Sequence, residues 1–267
     1  MRVKSCRFGN MMYLENDQFI GCSLDTYGES HYCEVEVYRQ LVQRGVLVDV
    51  GANIGMITVP LAQTAESVIA IEANTFIYHM LCGNVALNNL QNVRALNLVA
   101  AEASGLVGYH SGLSFDGIQN YGSFHVSSGC GSTDECGRRM DKPVLTVAID
   151  NLGVVPTLIK IDVEGMEVPV LLGARKTIER HKPYLSIEFL SDTEGIIDFL
   201  QQINYKWKLL ATPVFNELNF AGVKENVLMV DGKHIYSHNL LCWPQECVFE
   251  FESPWLMELN HEWYPRP

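Results

Sequence analysis

Four short apolar runs, each ending at a glycine or an acid and separated by helix-length stretches, constrain this fold more than any other feature. The first reads Val46-Leu-Val-Asp-Val50 and stops at Gly51. Val68 to Glu72, Leu158 to Asp162 and Tyr184 to Glu188 repeat the plan. Runs of this kind, bounded by turn residues, are strands buried on both faces. Between them the spacing is helical: Ile54, Ile57, Leu61 and Ala62 share a face within 54–65, where Pro60 is expected to bend the helix. Helices are likewise predicted over 76–90, 166–181 and 196–203, and a further strand over 93–98. The first forty residues read as short strands, followed by a helix over 34–43. Apolar strands are predicted near 207–211 and 239–243, and weak ones within the loop-rich region 107–126. Strands alternating with helices build right-handed βαβ units and a mainly parallel sheet. The fold class is therefore α/β, doubly wound.

Composition narrows the partners. Among 267 residues, 48% are hydrophobic and 19% charged, enough apolar material for a core. The formal net charge of −12 suits no phosphate backbone, so nucleic acid is not expected as a partner. No stretch reaches the roughly 18–20 apolar residues of a membrane span, and the N-terminus lacks the apolar core of a secretion signal. The eight cysteines include no C-x-x-C pair, so reduced thiols and a cytoplasmic location are expected, without structural zinc.

In doubly wound sheets, ligands bind beyond the carboxyl ends of the strands. Asp49-Val-Gly-Ala-Asn-Ile-Gly55 lies at the first such end. Gly51 and Gly55 permit a tight turn and close approach of a ligand. Their G-x-x-x-G spacing is not the pyrophosphate fingerprint. Asp49 would repel a phosphate and suit a cationic amine, which favours S-adenosylmethionine over NAD. Glu72 ends the second run about 20 residues after the first glycine, where an acid accepts hydrogen bonds from ribose hydroxyls. At the third end stand Asp162, Glu164 and Glu167. Asp162 and Glu164 are two apart and point to one side of an extended chain. Clustered carboxylates repel one another and cost stability unless something uses them. A general base for a hydroxyl, a divalent-cation site, a clamp on a positive ligand, or capping of the next helix would each account for some of them.

These residues resemble a family, the FkbM-type S-adenosylmethionine-dependent methyltransferases. The resemblance is carried by VLVDVGANIGMITVPLA (46–62), IEAN (71–74), LCGNVALNNLQNV (81–93), NYGSFHV (120–126) and LIKIDVEGMEVPVLLGARKTIERHKPYLSIE (158–188), with weaker matches in NELNF (216–220) and HNLLCWPQE (238–246). It implies a Rossmann-like class I methyltransferase fold, with a seven-stranded, mainly parallel sheet whose last strand is antiparallel. It also implies S-adenosylmethionine as cofactor. Asp49, Gly51, Asn53 and Gly55 would surround its methionine end, Glu72 its ribose with Asn74 alongside, and Ala101 its adenine. Asp162 and Glu164 match the acidic pair facing the methyl group, and Glu188, ending the long matching segment, joins them as a catalytic candidate. No metal ligand is assigned, although a divalent cation stays open.

The resulting expectation is an O-methyltransferase acting on a hydroxyl of a glycan or of a sugar-bearing or polyketide-like small molecule. An N-methyltransferase for a small molecule or peptide is the alternative, and a catalytically silent nucleoside-binding module is the other. Residues 1–45 are expected to pack on a methyltransferase domain over 46–247, followed by a tail over 248–267. In that tail Trp255, Trp263 and Tyr264 pack on the body, on a second subunit of a homodimer, or on a sugar. His125 is expected to be a pocket wall. The Gly/Ser/Cys-rich insert over 129–139 departs from the family pattern.

Overall fold

The computed structural model describes residues 1–109, 120, 126–127, 142–190, 192–249 and 251–259. His125, Trp263, Tyr264 and the 129–139 insert lie outside these. The chain opens with a hairpin, β1 (Arg2–Cys6) and β2 (Gly9–Tyr13), then α1 (Ile20–Tyr27) and α2 (Tyr32–Val42). The βα alternation runs through β3 (Val46–Val50), α3 (Thr58–Ala62), β4 (Ser67–Ile71), α4 (Thr75–Leu87) and β5 (Val93–Leu96). Four short strands follow: β6 (Val99–Ala100), β7 (Gly105–Tyr109), β8 (Val126–Ser127) and β9 (Lys142–Val147). The alternation resumes with β10 (Leu158–Ile161), α5 (Glu167–Gly173), α6 (Arg175–His181), β11 (Tyr184–Glu188) and α7 (Thr193–Gln202). The last strands are β12 (Tyr205–Pro213), β13 (Met229–Val230), β14 (Lys233–His234), β15 (Tyr236–Pro244) and β16 (Leu256–Met257).

The main sheet has the order β16-β12-β15-β11-β10-β3-β4-β5. From β11 to β5 every pairing is parallel. Strand β15 runs antiparallel between β11 and β12. Seven strands with one antiparallel member are thus the arrangement expected, and two residues of the tail add an eighth. Alternate residues of the central strands feed two apolar layers, as a pleat of period two requires. Val48, Ile69, Ile159 and Leu185 pack with Val170, Ile178, Ile196 and Leu200 on one side. Leu47, Val68, Leu158 and Leu241 pack with Val35, Tyr38, Leu61 and Leu81 on the other. Helices on both faces explain why these strands carry unbroken apolar runs.

The local outcome differs from expectation in several places. Residues 20–27 form a helix where strands were predicted; Gly21 is needed there, since a Cβ would lie 2.1 Å from the Leu14 carbonyl oxygen. Around Pro60 only Thr58–Ala62 is helical, with that proline in the first turn, since it has no N–H with which to extend the ladder back toward residue 56. The helix predicted over 166–181 is broken at Ala174 into α5 and α6. Strand β9 was not anticipated; it pairs with β6 and β7 in a second, four-stranded sheet. In the tail, Trp255, Phe249 and Phe251 pack against the α2–α3 side of the core, and Phe249 stacks on Trp243 at 4.0 Å.

Candidate active site

The carboxyl ends of β3, β4, β10 and β11 open into a cavity of about 340 Å³. It lies where chain order reverses, since β3 is flanked by β4 on one side and β10 on the other. Gly51, Asn53, Glu72, Asp162, Glu164 and Glu188 all line it. Asp49, Gly55, Asn74 and Ala101 do not; each lies just behind the wall.

One half is built by the turns after β3 and β4. Gly51 has φ +80°, and a Cβ there would lie 1.8 Å from the Asp162 carbonyl oxygen, so the two strand ends meet only at a glycine. The N–H groups of Gly51 and Ala52 both donate to the Ile71 carbonyl, at 2.9 and 3.0 Å. Glu72 ties the turns together: its Oε2 accepts from Asn53 N at 2.9 Å and its Oε1 from Asn74 N at 2.7 Å. Burial pushes its acid up to about 7, against the pull of those two donors. The Asn74 side chain caps α4 by accepting from Phe76 N and Ile77 N.

Asp49 is fully buried beneath the floor. Its Oδ2 accepts from Thr58 Oγ1 at 2.6 Å while its Oδ1 has no partner, and burial raises its acid. Gly55, at φ +99°, packs against Leu81 and Val59. The Ala101 carbonyl packs against Gly173, leaving Val99 and Ala100 to form the wall beside it. Carboxylates beside Ile57, Met56 and Leu98, with no lining arginine among the described residues, fit a hydroxyl-bearing cationic nucleoside rather than a phosphate.

The other half is acidic. Asp162, with 36% of its side chain exposed toward the cavity, accepts from Lys160 Nζ at 2.8 Å. Burial opposes its charge, but the Lys160 ammonium, together with His31 and the hydrogen bond to Glu188, holds the carboxyl below its ordinary range. Glu188 is pushed up to about 9, first by burial and then by repulsion from Asp162 and Glu164. It therefore holds a proton more readily than Asp162, to which it hydrogen-bonds. Glu164 sits at φ +51° in the turn after β10. Glu167 is buried and serves the turn itself, its Oε1 accepting from Gly165 N at 3.1 Å and Val163 N at 3.4 Å.

Several lining residues escaped the sequence reading. Lys160 hides inside an apolar run, yet only its position two before Asp162 could have flagged it. His31, at φ 55° with its Nδ1 2.8 Å from Ser30 Oγ, faces in from the start of α2. Tyr236 and His238 enter from β15 and Val214 from just after β12. Burial lowers the His238 imidazolium's pKa. Buried Glu29 holds that wall to the N-terminal segment: it accepts from Asn216 Nδ2 at 2.9 Å and Phe220 N at 2.8 Å, and pairs with Arg7. Among the described residues, no three His, Cys, Asp or Glu side chains converge as a metal-ligand set. Cys6, Cys22, Cys33, Cys82, Cys242 and Cys247 are free thiols, and no described helix is long and apolar enough to cross a membrane.

Comparison with known proteins adds the family. The model of the methyltransferase FkbM domain matches residues 49–207. A tRNA(Phe) (4-demethylwyosine(37)-C(7)) aminocarboxypropyltransferase from Methanocaldococcus jannaschii is 50% identical over 50 residues, which are 18% of this chain and 20% of that protein. The chain thus spans about a fifth of that curated relative's length. Among solved structures, an FkbM methyltransferase from Methylobacillus flagellatus KT is 19% identical, with 84% of this chain and 51% of that one covered and a TM-score of 0.49. A precorrin 8w decarboxylase from Methanobacterium thermoautotrophicum is 12% identical, with 79% and 88% covered and a TM-score of 0.44. The family match runs from Asp49 in β3 to Trp207 in β12 and takes in the carboxyl ends of β3, β4, β10 and β11 at the cavity, so the chain belongs to the FkbM family of S-adenosylmethionine-dependent methyltransferases.

Proposed function

We propose that the protein is an O-methyltransferase whose acceptor is a hydroxyl of a glycan or of a sugar-bearing or polyketide-like small molecule. The observation that carries this reading is the pairing of the Asp162 and Glu188 carboxyl groups at the cavity wall, with Lys160 Nζ 2.8 Å from Asp162. A hydroxyl is a weak nucleophile and needs a base as the new bond forms. Glu188 is the stronger base of the pair, because its conjugate acid is the weaker one. A cation brought into the cavity favours its ionised form and so makes it ready to accept a proton. The proton leaving the acceptor oxygen then moves to a Glu188 oxygen, while ionised Asp162 orients that carboxyl. When bound, S-adenosylmethionine supplies an electrophilic methyl group on its sulfonium. Glu72 would hold the ribose hydroxyls, and the bare backbone at Gly51 would allow the amino-acid end to approach.

The net charge of −12 and the acids lining the cavity support an uncharged or cationic acceptor over a polyphosphate. They serve an ammonium equally, which keeps N-methylation of an amine as the second reading. Free thiols support a cytoplasmic setting.

The test is transfer of a labelled methyl group to a panel of glycans, hydroxylated small molecules, amines and tRNA, with Glu188→Gln and Asp162→Asn beside the wild type. Removing a general base costs ~10²–10⁴ in rate, so turnover of a hydroxyl acceptor should fall by that range in Glu188→Gln while cofactor binding persists. Transfer confined to amines selects the second reading. Transfer confined to tRNA, near-wild-type turnover in both variants, or cofactor binding with no transfer refutes the proposal.

A further inference from the structure

Lys160 carries a positive charge into the middle of a parallel sheet, with only 4% of its surface exposed. An unpaired ammonium at such depth would lose its proton. Here acids surround it. Asp162 lies on its own strand with Oδ2 at 2.8 Å; Asp49 comes from β3 and Glu34 from α2. Each of the latter two keeps one buried carboxylate oxygen without a hydrogen-bond partner, Oδ1 of Asp49 and Oε2 of Glu34. These oxygens leave the ammonium to offset their charge through space. The other titratable groups about this centre are Glu72 from β4, Glu188 from β11, Tyr38 from α2, and His31 and Glu164 at the cavity. Tyr38 hydrogen-bonds both Glu34 and Ser186, tying α2 to β11 beneath the pair.

A divalent ion does not fit this donor set. Lys160 occupies the Asp162 Oδ2 that would ligate it, and no three suitable side chains converge among the described residues. We propose that the Lys160 ammonium is the fixed cation of this active site, a positioning residue that holds the Asp162 carboxylate in place and ionised, in the role a divalent ion plays in metal-assisted transfer. The proposal rests on the reading of Asp162 and Glu188 as the proton-handling pair.

The test needs no acceptor. Infrared spectra of the full chain are recorded from pH 3 to 10 for the wild type, Glu188→Gln, Lys160→Met and Lys160→Arg, and Mn²⁺ is titrated into the wild type. At pH 8, above the Glu72 value, the wild type should show a protonated carboxyl band that Glu188→Gln diminishes, and Mn²⁺ should not bind stoichiometrically. In Lys160→Met the Asp162 titration should move up by roughly 1–3 pH units, the effect of a lost neighbouring cation on a carboxylate. Lys160→Arg should restore it. Should Lys160→Met fail to fold, Lys160→Gln keeps a donor for Asp162 without the charge and must show the same rise. An unmoved titration in the neutral variants, or stoichiometric Mn²⁺ binding abolished by Asp162→Asn, overturns the role given to Lys160. A wild-type band unaffected by Glu188→Gln overturns instead the proton-handling pair, and with it the functional reading.

Discussion

Replacing Asn84 by leucine should cost about 3–5 kcal/mol, although the residue touches nothing in the cavity. Asn84 is fully buried on α4. Its Oδ1 accepts from Met12 N at 2.6 Å, and its Nδ2 donates to the Met12 carbonyl at 3.1 Å and to the Ile54 carbonyl at 2.7 Å. One amide therefore ties the N-terminal hairpin and the turn after β3 to the same helix. Leucine keeps the branched shape of asparagine, so most of the cost is that of three backbone groups losing partners. The Ile54 carbonyl is buried and carries about 2 kcal/mol, while water can reach the two Met12 groups and about 1 kcal/mol each is reasonable. At about 2 °C per kcal/mol for a chain of this size, the melting temperature should fall by about 6–10 °C.

Asn84→Asp separates this account from simple packing. The carboxylate still accepts from Met12 N but turns a negative oxygen toward two carbonyls, so the loss should shrink as the pH falls and the acid gains a proton. Thermal unfolding followed by circular dichroism at pH 5 and 8 is the assay. A shift below 2 °C for leucine, or an aspartate variant whose deficit ignores pH, would refute the reasoning.

Glu72→Gln should weaken S-adenosylhomocysteine by about 10- to 100-fold in calorimetry, the 1.5–3 kcal/mol of charged hydrogen bonds to the ribose. Because burial holds the Glu72 acid up at about 7, a proton must leave before a ribose hydroxyl can donate. Wild-type affinity should therefore gain as much as about tenfold from pH 6 to 8, and the glutamine variant should lose that gain. The same shift makes the ligand-free fold bind more protons than the unfolded chain between the ordinary value of 4.5 and about 7. Its stability should decline as pH rises through that window, more steeply than in Glu72→Gln. Gly51→Ala should cost at least about 2 kcal/mol in urea unfolding, since a left-handed φ is strained for alanine and its Cβ meets the Asp162 carbonyl oxygen; an unchanged midpoint would show that the strand ends can separate.

What could be read in the sequence was what lies at strand ends. Gly51, Glu72, Asp162 and Glu188 each close an apolar run, and a parallel sheet brings such positions to one edge whatever the loops do. Side-chain direction was not legible. Asp49 sits one residue before Val50, which lines the cavity, and the pleat turns it the other way, under the floor. Asn74 is adjacent to a lining residue and spends its side chain on a helix cap. Helix α1 was missed because Gly21, Ser23, Asp25 and Thr26 give residues 20–27 little intrinsic helix propensity, and tertiary contacts supply the difference. His31, Tyr236 and His238 meet only because β15 and the N-terminal segment converge on the cavity, and no local pattern records that meeting.

The position of β15 also sets an order of events during synthesis. Strand β12 leaves the ribosome before β15, yet β15 must slot between it and β11, with nine register pairs on one side and four on the other. Until residue 244 is free of the exit tunnel, β11 and β12 each present an unpaired apolar edge, the kind of surface that recruits other chains. The parallel half bearing Gly51 and Glu72 has no such wait. The acidic half of the cavity is completed last, by an insertion that brings Tyr236 and His238 to it as the sheet closes.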